Sequence, residues 1–342
     1  MLKSLLNKCI NGEVLTEEES YQVMDEIMLG NATSSQIASL ISILRFRGEA
    51  VEEITGFARA MRDHMMQLDY ENLDEVIDTC GTGGDGASTF NISTASAIVV
   101  SSLGIKVAKH GNRAVSSKSG SADVLEYLGV DIQSTQEEAR TALNKRNMSF
   151  LFAPIYHSAM KHAVAPRKEI GFRTIFNLLG PMANPARCKK QIVGVYSTEY
   201  AEKMAYALQR LGSEHIMFVS GRDGLDECSI TTETDIVELK NGEIKRFVLS
   251  PEDVGLPKGN MKDIQVSSII DSAELLKSVL YGTANESATN IVLLNAGAAM
   301  YVSGRAKSIR EGVEAAREAI STGTTSRQFE QLRSRQVEYY AK

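Results

Sequence analysis

Apolar positions recur at helical spacing through the first 70 residues. After Thr33, Ile37, Leu40, Ile41 and Leu44 fall at i, i+3, i+4 and i+7, one face of an amphipathic helix. Ile54, Phe57, Ala58 and Met61 mark another helix, and Thr16 with Glu19 and Thr33 with Gln36 have capping-box spacing. The connections Gly30-Asn31-Ala32 and Gly48-Glu49 are short, and no strand signal interrupts them. Near residue 75 the pattern changes. Short apolar runs at 76–80, 106–108, 149–153, 192–196 and 215–219 read as strands. Helical stretches separate the first of them: an apolar one over about 93–103, one over 122–128, and one after Ser134, whose partner three residues on is Glu137. Strands alternating with helices predict βαβ units and a mainly parallel sheet. Asn241-Gly242 between 236–239 and 244–248 predicts a hairpin, and roughly the last 70 residues read as helix again.

The expected fold class is α/β: a small all-helical N-terminal domain plus a larger α/β domain around a mainly parallel central sheet. The change of period sets the first domain at 1–72 and the second at 73–164 and 186–342. The stretch from Pro166 to Pro185 reads as a helix with an apolar face that returns to the helical unit at about 165–185, which makes the small domain discontinuous. A length of 342 residues agrees with two domains. The net charge of −6 argues against a general nucleic-acid binder, though a local basic pocket for a small polyanion remains open. Cys9, Cys80, Cys188 and Cys228 form no CxxC pair, so neither a zinc site nor a CxxC redox motif is legible, and free thiols in a reducing compartment are expected. Lys3 and Lys8 break up any signal-peptide core, and no apolar run reaches the ~18 residues of a membrane span. The expected location is the cytoplasm.

Three loops carry the chemistry. Gly81-Thr82-Gly83-Gly84-Asp85-Gly86 follows a strand and precedes a helix, where backbone N–H groups cradle phosphate. Its glycines match G-x-G-x-x-G, yet the region about 20 residues on is Lys106-Val107-Ala108-Lys109, basic where a dinucleotide site wants an acid. No Gly-Lys-Ser/Thr closes a Walker loop either. Asp85 inside the loop suits a ligand whose charge a metal or cation mediates. The second loop, 109–121, holds Lys109, Arg113 and Lys118 with four serines and Asn112. An acidic chain has gathered fixed positive charge there, the usual equipment for phosphate. Two such loops imply a ligand with two separated anionic groups, and a sugar carrying a 5-phosphate and a diphosphate fits. The third, Asp223-Gly224-Leu225-Asp226-Glu227, places adjacent carboxylates after a strand, which suits Mg²⁺ bridging to substrate phosphates. The bland readings are a flexible turn, a solvated charged loop and a solvated acidic turn.

Taken together with Asn91-Ile92-Ser93-Thr94, Gly120-Ser121-Ala122-Asp123 and Arg173-Thr174-Ile175-Phe176-Asn177 followed by Gly180-Pro181, these motifs come in a known order. Over nearly its whole length the chain resembles the anthranilate phosphoribosyltransferase family. The resemblance implies a nucleoside phosphorylase/phosphoribosyltransferase-like fold, a homodimer formed through the helical domain, and transfer of the phosphoribosyl group of 5-phosphoribosyl 1-diphosphate (PRPP) to the amine of anthranilate in tryptophan biosynthesis. It implies PRPP contacts at Gly81, Gly84, Asp85, Thr89, Asn91, Ile92, Ser93, Thr94, Lys109, His110, Gly111, Asn112, Arg113, Ala114, Val115, Ser116, Ser117 and Ser121. It implies anthranilate contacts at Gly81, Asn112 and Arg167, and Mg²⁺ held by Ser93, Asp226 and Glu227. No covalent catalytic residue is expected. The partners it brings into view are a second copy of the chain and the glutamine amidotransferase of anthranilate synthase. The family often has His-Gly shortly before the acidic pair; here Ser220-Gly221-Arg222 stands there. Two rival readings share the fold: a pyrimidine nucleoside phosphorylase-like enzyme, and a non-catalytic homologue that binds nucleic acid.

Overall fold

Thr16 and Thr33 cap helices as their spacing predicts. The computed structural model describes residues 1–114 and 119–340, with backbone alone at 73 and 334–340. Its first four helices are α1 (Leu2–Ile10), α2 (Glu17–Met28), α3 (Ser34–Arg47) and α4 (Val51–His64). Thr16 and Glu19 exchange hydrogen bonds at the head of α2, and Thr33 and Gln36 do the same at α3. The chain then enters β1 (Val76–Gly81), α5 (Ile92–Ser102), β2 (Lys106–Gly111), α6 (Ser121–Tyr127), α7 (Gln136–Arg146) and β3 (Met148–Phe152). The α7 cap is Thr135 with Glu138, one residue later than the Ser134–Glu137 pair. The Ser134 hydroxyl is instead drawn to Asp131, 3.3 Å away.

A short α8 (Ala153–Tyr156) leads to α9 (Lys161–Ile170) and α10 (Ile175–Met182). One helix was expected over this stretch and there are two, because Gly171 takes a left-handed conformation (φ 70°) and ends α9. Both return to the first four helices: His162 of α9 packs on Gly30, and Arg62 of α4 donates to the Met182 carbonyl at 2.7 Å. The remaining elements are β4 (Lys190–Gly194), α11 (Thr198–Arg210), β5 (His215–Gly221), β6 (Thr234–Lys240), β7 (Glu243–Leu249), α12 (Ile269–Leu280), α13 (Glu286–Ser303), α14 (Ile309–Ser321) and α15 (Thr324–Tyr340). The hairpin forms at Asn241-Gly242, both with positive φ (51° and 79°), as the primed two-residue turn requires.

The sheet order is β3-β2-β1-β4-β5-β6-β7, parallel from β3 to β5 and antiparallel at β6 and β7. Alternate strand residues feed two cores, because successive side chains leave opposite faces. Ile192, Met217, Val219 and Ile236 join α5, α12, α13 and α14. Val193, Ile216, Phe218 and Val237 join α10, α11 and the apolar faces of α1–α4. Chain order reverses between β1 and β4, so the crevice outside their carboxyl ends is the topological switch point, where open α/β sheets bind ligands. All four cysteines are free, and no described helix is long and apolar enough to cross a membrane.

Candidate active site

Two glycines let the acidic loop reach the switch point. A β-carbon on Gly81, at the end of β1, would lie 2.7 Å from Asp226 Oδ2. One on Gly194, at the end of β4, would overlap the Asp226 carbonyl oxygen. Asp226 thus sits across both strand ends and accepts from the Gly83 N–H at 2.8 Å. Glu227 accepts from the Ser93 N–H at 3.2 Å, at the start of α5. Lys109, at the end of β2 and 2% exposed, donates to the Thr79 carbonyl (2.5 Å) and to Ser93 Oγ (3.2 Å). The glycine-rich loop, the α5 start, the basic loop's lysine and the acidic pair therefore meet in one place.

The charges there do not balance. Burial, with Asp85 beside Asp226 and Asp226 beside Glu227, pushes both carboxyls well above their usual range. Burial pushes the Lys109 ammonium down against the pull of Asp78. Ionised together, Asp78, Asp226 and Glu227 would set three negative charges against the one buried ammonium of Lys109, an excess of negative charge. A divalent cation fits that excess. No cluster of three or more His, Cys, Asp or Glu side chains converges as a cage among the described residues. Mg²⁺ needs none, since it takes one or two carboxylates plus water and substrate oxygens.

Other expected residues divide into groups. Gly84 and Gly86 have positive φ (78° and 75°), and Asp85 Oδ1 accepts from the Ala87 N–H. Thr89 bridges to Gln265, which ties down the end of the loop. Asn91 is bound by Ser272 of α12 through both its N–H and its Oδ1. Thr94 keeps a buried hydroxyl without a partner among the described residues. Ile92 is a core side chain whose N–H donates to the Phe90 carbonyl. In the basic loop the Gly111 position abuts Ser121 and Phe150, and the Ser121 hydroxyl reaches the Asn112 carbonyl at 3.4 Å. The Ala114 N–H donates to Asp123, which also accepts from the Gly120 N–H and so ties the two ends of the loop together. Arg113 is turned to Asp123 and Glu126 and is not bare. Val115, Ser116 and Ser117 lie outside the described residues.

The Arg167 guanidinium of α9 stacks over the Phe176 ring (5.0 Å) and has no hydrogen bond or ion pair among the described residues. None joins it to Gly81 or Asn112, so the three expected acceptor contacts rest on separate elements. His110, at the end of β2, lies 5.1 Å from the ring of His157, a residue the sequence did not single out. His110 Nδ1 donates to the Gly180 carbonyl (3.2 Å), since a carbonyl only accepts, and Nε2 of both rings has no partner among the described residues. Burial pushes His110 down to about 3 and His157 down to about 4. Between pH 6.5 and these values the unfolded chain binds protons that the folded chain refuses, so stability falls as pH falls. Going from pH 7 to 5, His157 alone should cost about 2 kcal/mol. Unfolding free energies from urea titration at the two pH values should drop less in His157→Phe than in the wild type by that amount; equal drops would overturn the assignment.

Residues 3–65 match the helical bundle domain of the glycosyl transferase family, and residues 73–326 match its a/b domain. An anthranilate phosphoribosyltransferase from Geobacillus sp. (strain WCH70) is 66% identical over 100% of both chains. The chain belongs to the anthranilate phosphoribosyltransferase family. A family member from Halalkalibacterium halodurans is 59% identical over 97% of both chains. The crystal structure of anthranilate phosphoribosyltransferase from Thermus thermophilus superposes with a TM-score of 0.90 at 40% identity, covering 96% of this chain and 98% of that one. The Saccharomyces cerevisiae enzyme in complex with PRPP and Mg gives 0.88 at 30% identity, covering 97% of each. Where the family often has His-Gly, Ser220 sits in β5 opposite Asp235, and Arg222 pairs with Glu233 and Asp235. The Asp223 turn closes by hydrogen bonds from Ser229 and Thr231.

Proposed function

We propose that the protein transfers the 5-phosphoribosyl group of PRPP to the amine of anthranilate, releasing diphosphate, as a step of tryptophan biosynthesis. The observation that carries this reading is the meeting of the glycine-rich loop with Ser93, Lys109, Asp226 and Glu227 at the sheet's switch point.

An aromatic amine is neutral at pH 7 and needs no strong base before attack. The barrier lies in breaking the C1–O bond, as the N–C1 bond forms and the electron pair leaves with diphosphate; the proton that the nitrogen then loses passes to solvent or to the departing diphosphate. Positioning and charge stabilisation are then the main means of catalysis. The positive-φ glycines 83, 84 and 86 shape a loop of the kind whose amides cradle an anion, and the Lys109 side chain reaches the Ser93 hydroxyl beside it. Ser93, Asp226 and Glu227 would hold Mg²⁺, which when bound neutralises the leaving diphosphate. The basic loop would hold the 5-phosphate. Arg167, stacked and without an anionic partner, would take the anthranilate carboxylate. Arg167→Ala should raise KM for anthranilate roughly 10- to 100-fold and leave KM for PRPP within about twofold, because one cationic clamp is lost. Equal effects on both substrates would remove that role.

We read the helical domain as 1–72 joined by about 165–185, with the α/β domain at 73–164 and 186–342; the packing of α9 and α10 on the first four helices supports this division. We also place the enzyme in the cytoplasm and read it as a homodimer through the helical domain, where Phe46 stands 95% exposed. Light scattering would read its mass. The anthranilate synthase amidotransferase stands as a further partner, testable by co-elution.

The deciding experiment is loss of anthranilate fluorescence with PRPP, with and without Mg²⁺. Mg²⁺-dependent loss is expected. No loss from a folded protein would overturn the reading and turn attention to phosphorolysis of pyrimidine nucleosides.

A further inference from the structure

We propose that Arg173 is a further binding residue for the diphosphate of the donor, acting across Gly84 of the glycine-rich loop, and that Tyr196 positions it. The proposal rests on the transfer reaction above and adds a group to its leaving-group site.

Arg173 lies in the turn between α9 and α10, far along the chain from the glycine-rich loop. Its guanidinium is nevertheless pressed against that loop. A β-carbon on Gly84 would lie 3.0 Å from Nε and Nη2 and 3.3 Å from Cζ. Gly84 is thus glycine for two reasons, its positive φ and the arginine at its back. The guanidinium is half-buried and makes no hydrogen bond or ion pair among the described residues. Three arginines of α3 and α4 are by contrast engaged: Arg47 by Glu53, Arg59 by Glu17 and Glu18, and Arg62 by two carbonyl oxygens. An arginine holds several N–H donors in a planar fork matched to phosphoryl oxygens, so a bare one beside a phosphate-type loop points to an anion.

The site is also held in place. Arg173 Cζ lies 4.5 Å from the centre of the Tyr196 ring, a cation–π contact. That ring packs on Tyr200 at 5.6 Å. The Tyr200 hydroxyl accepts from Arg45 (2.6 Å) and donates to Glu49 (2.9 Å). A chain of contacts therefore runs from the end of α3 to the glycine-rich loop and fixes the guanidinium before any ligand binds.

The anion it would meet follows from its neighbours. The loop's acidic flank is the neighbouring Gly83 N–H, which donates to Asp226, next to Glu227. A group held between that flank and Arg173 is the one that a metal at the acidic pair would bridge, which is the diphosphate. The acceptor's single carboxylate is assigned above to Arg167 on α9, which stacks on Phe176. Negative charge on diphosphate grows as the C1–O bond breaks, so the contact strengthens towards the transition state.

The test combines titration of inorganic diphosphate with Mg²⁺ by calorimetry and steady-state kinetics with PRPP varied. Arg173→Ala should weaken diphosphate roughly 10-fold or more and lower kcat/KM for PRPP roughly 10- to 100-fold, with the anthranilate KM unchanged. Arg173→Lys should recover part of both. Tyr196→Ala should show a smaller loss of the same kind, which Tyr196→Phe restores because the ring is retained; a merely structural role would not split the two substrates in this way. Unchanged diphosphate affinity in Arg173→Ala, or a shift confined to the anthranilate KM, would overturn the proposal. If the wild type consumes no anthranilate, the transfer reading fails, yet the difference in diphosphate binding between wild type and Arg173→Ala still decides the contact. If Arg173→Ala does not fold, Arg173→Lys and Arg173→Gln carry the same comparison.

Discussion

Asp226→Asn combined with Glu227→Gln should reduce Mg²⁺-dependent turnover by about a thousandfold or more, while the metal-free protein melts no lower than the wild type. The two expectations share one cause. Both carboxyls are half-buried beside neighbouring negative charge and pushed above their ordinary range. A carboxyl whose folded value is raised holds its proton where the unfolded chain has already released it. Its contribution to stability is therefore intact at low pH and is lost as pH rises to the folded value. At neutral pH without a cation, these groups weaken the fold. Amides of the same shape remove that cost and can still accept from the Gly83 and Ser93 N–H groups. Melting curves with and without Mg²⁺ check the second half: Mg²⁺ should raise the wild-type melting temperature and leave the variant's unchanged. Retained metal dependence in the variant would move the metal site elsewhere.

Gly194→Ala should damage both fold and activity. Its β-carbon would occupy the space of the Asp226 carbonyl oxygen, a backbone atom that no rotamer change can clear. The Gly194 carbonyl also accepts from the Thr82 N–H at 2.8 Å, so β4 and the glycine-rich loop would be pushed apart together. Overpacking of this kind costs about 1–3 kcal/mol, and displacing the acidic pair by even 1 Å can cost about a hundredfold in turnover. Urea unfolding and kcat/KM for PRPP measure the two losses. A variant with wild-type stability and activity would show that the acidic loop is free to shift, contrary to the close fit of Gly81 and Gly194 against it.

Much of this architecture is legible from neighbouring residues. Capping boxes at Thr16 and Thr33, the Asn241-Gly242 turn and the strand–helix alternation after residue 75 all depend on groups within a few positions of one another. The same holds for the glycine-rich and basic loops, whose residue types alone raise the expectation of a phosphate ligand. Local reading goes astray where two neighbours compete, as at Ser134 and Thr135, where Asp131 draws the serine away. Nor does a place within a motif reveal that the Ile92 side chain belongs to the core.

What no stretch of sequence contains is proximity between distant residues. Gly194 has no motif around it, yet it is where the acidic loop crosses β4. His157 looks ordinary until its ring meets that of His110. Arg173 stands beside Gly84 only because α9 and α10 leave the α/β part, pack on the first four helices and return at β4. Periodicity and turn chemistry establish the elements and the kinds of chemistry they carry, because these depend on local backbone geometry. Which strand ends become neighbours, which charges are buried together and which cation is left without a partner are set when non-local faces pack. Burial changes the cost of each charge, and it exists only in the folded chain.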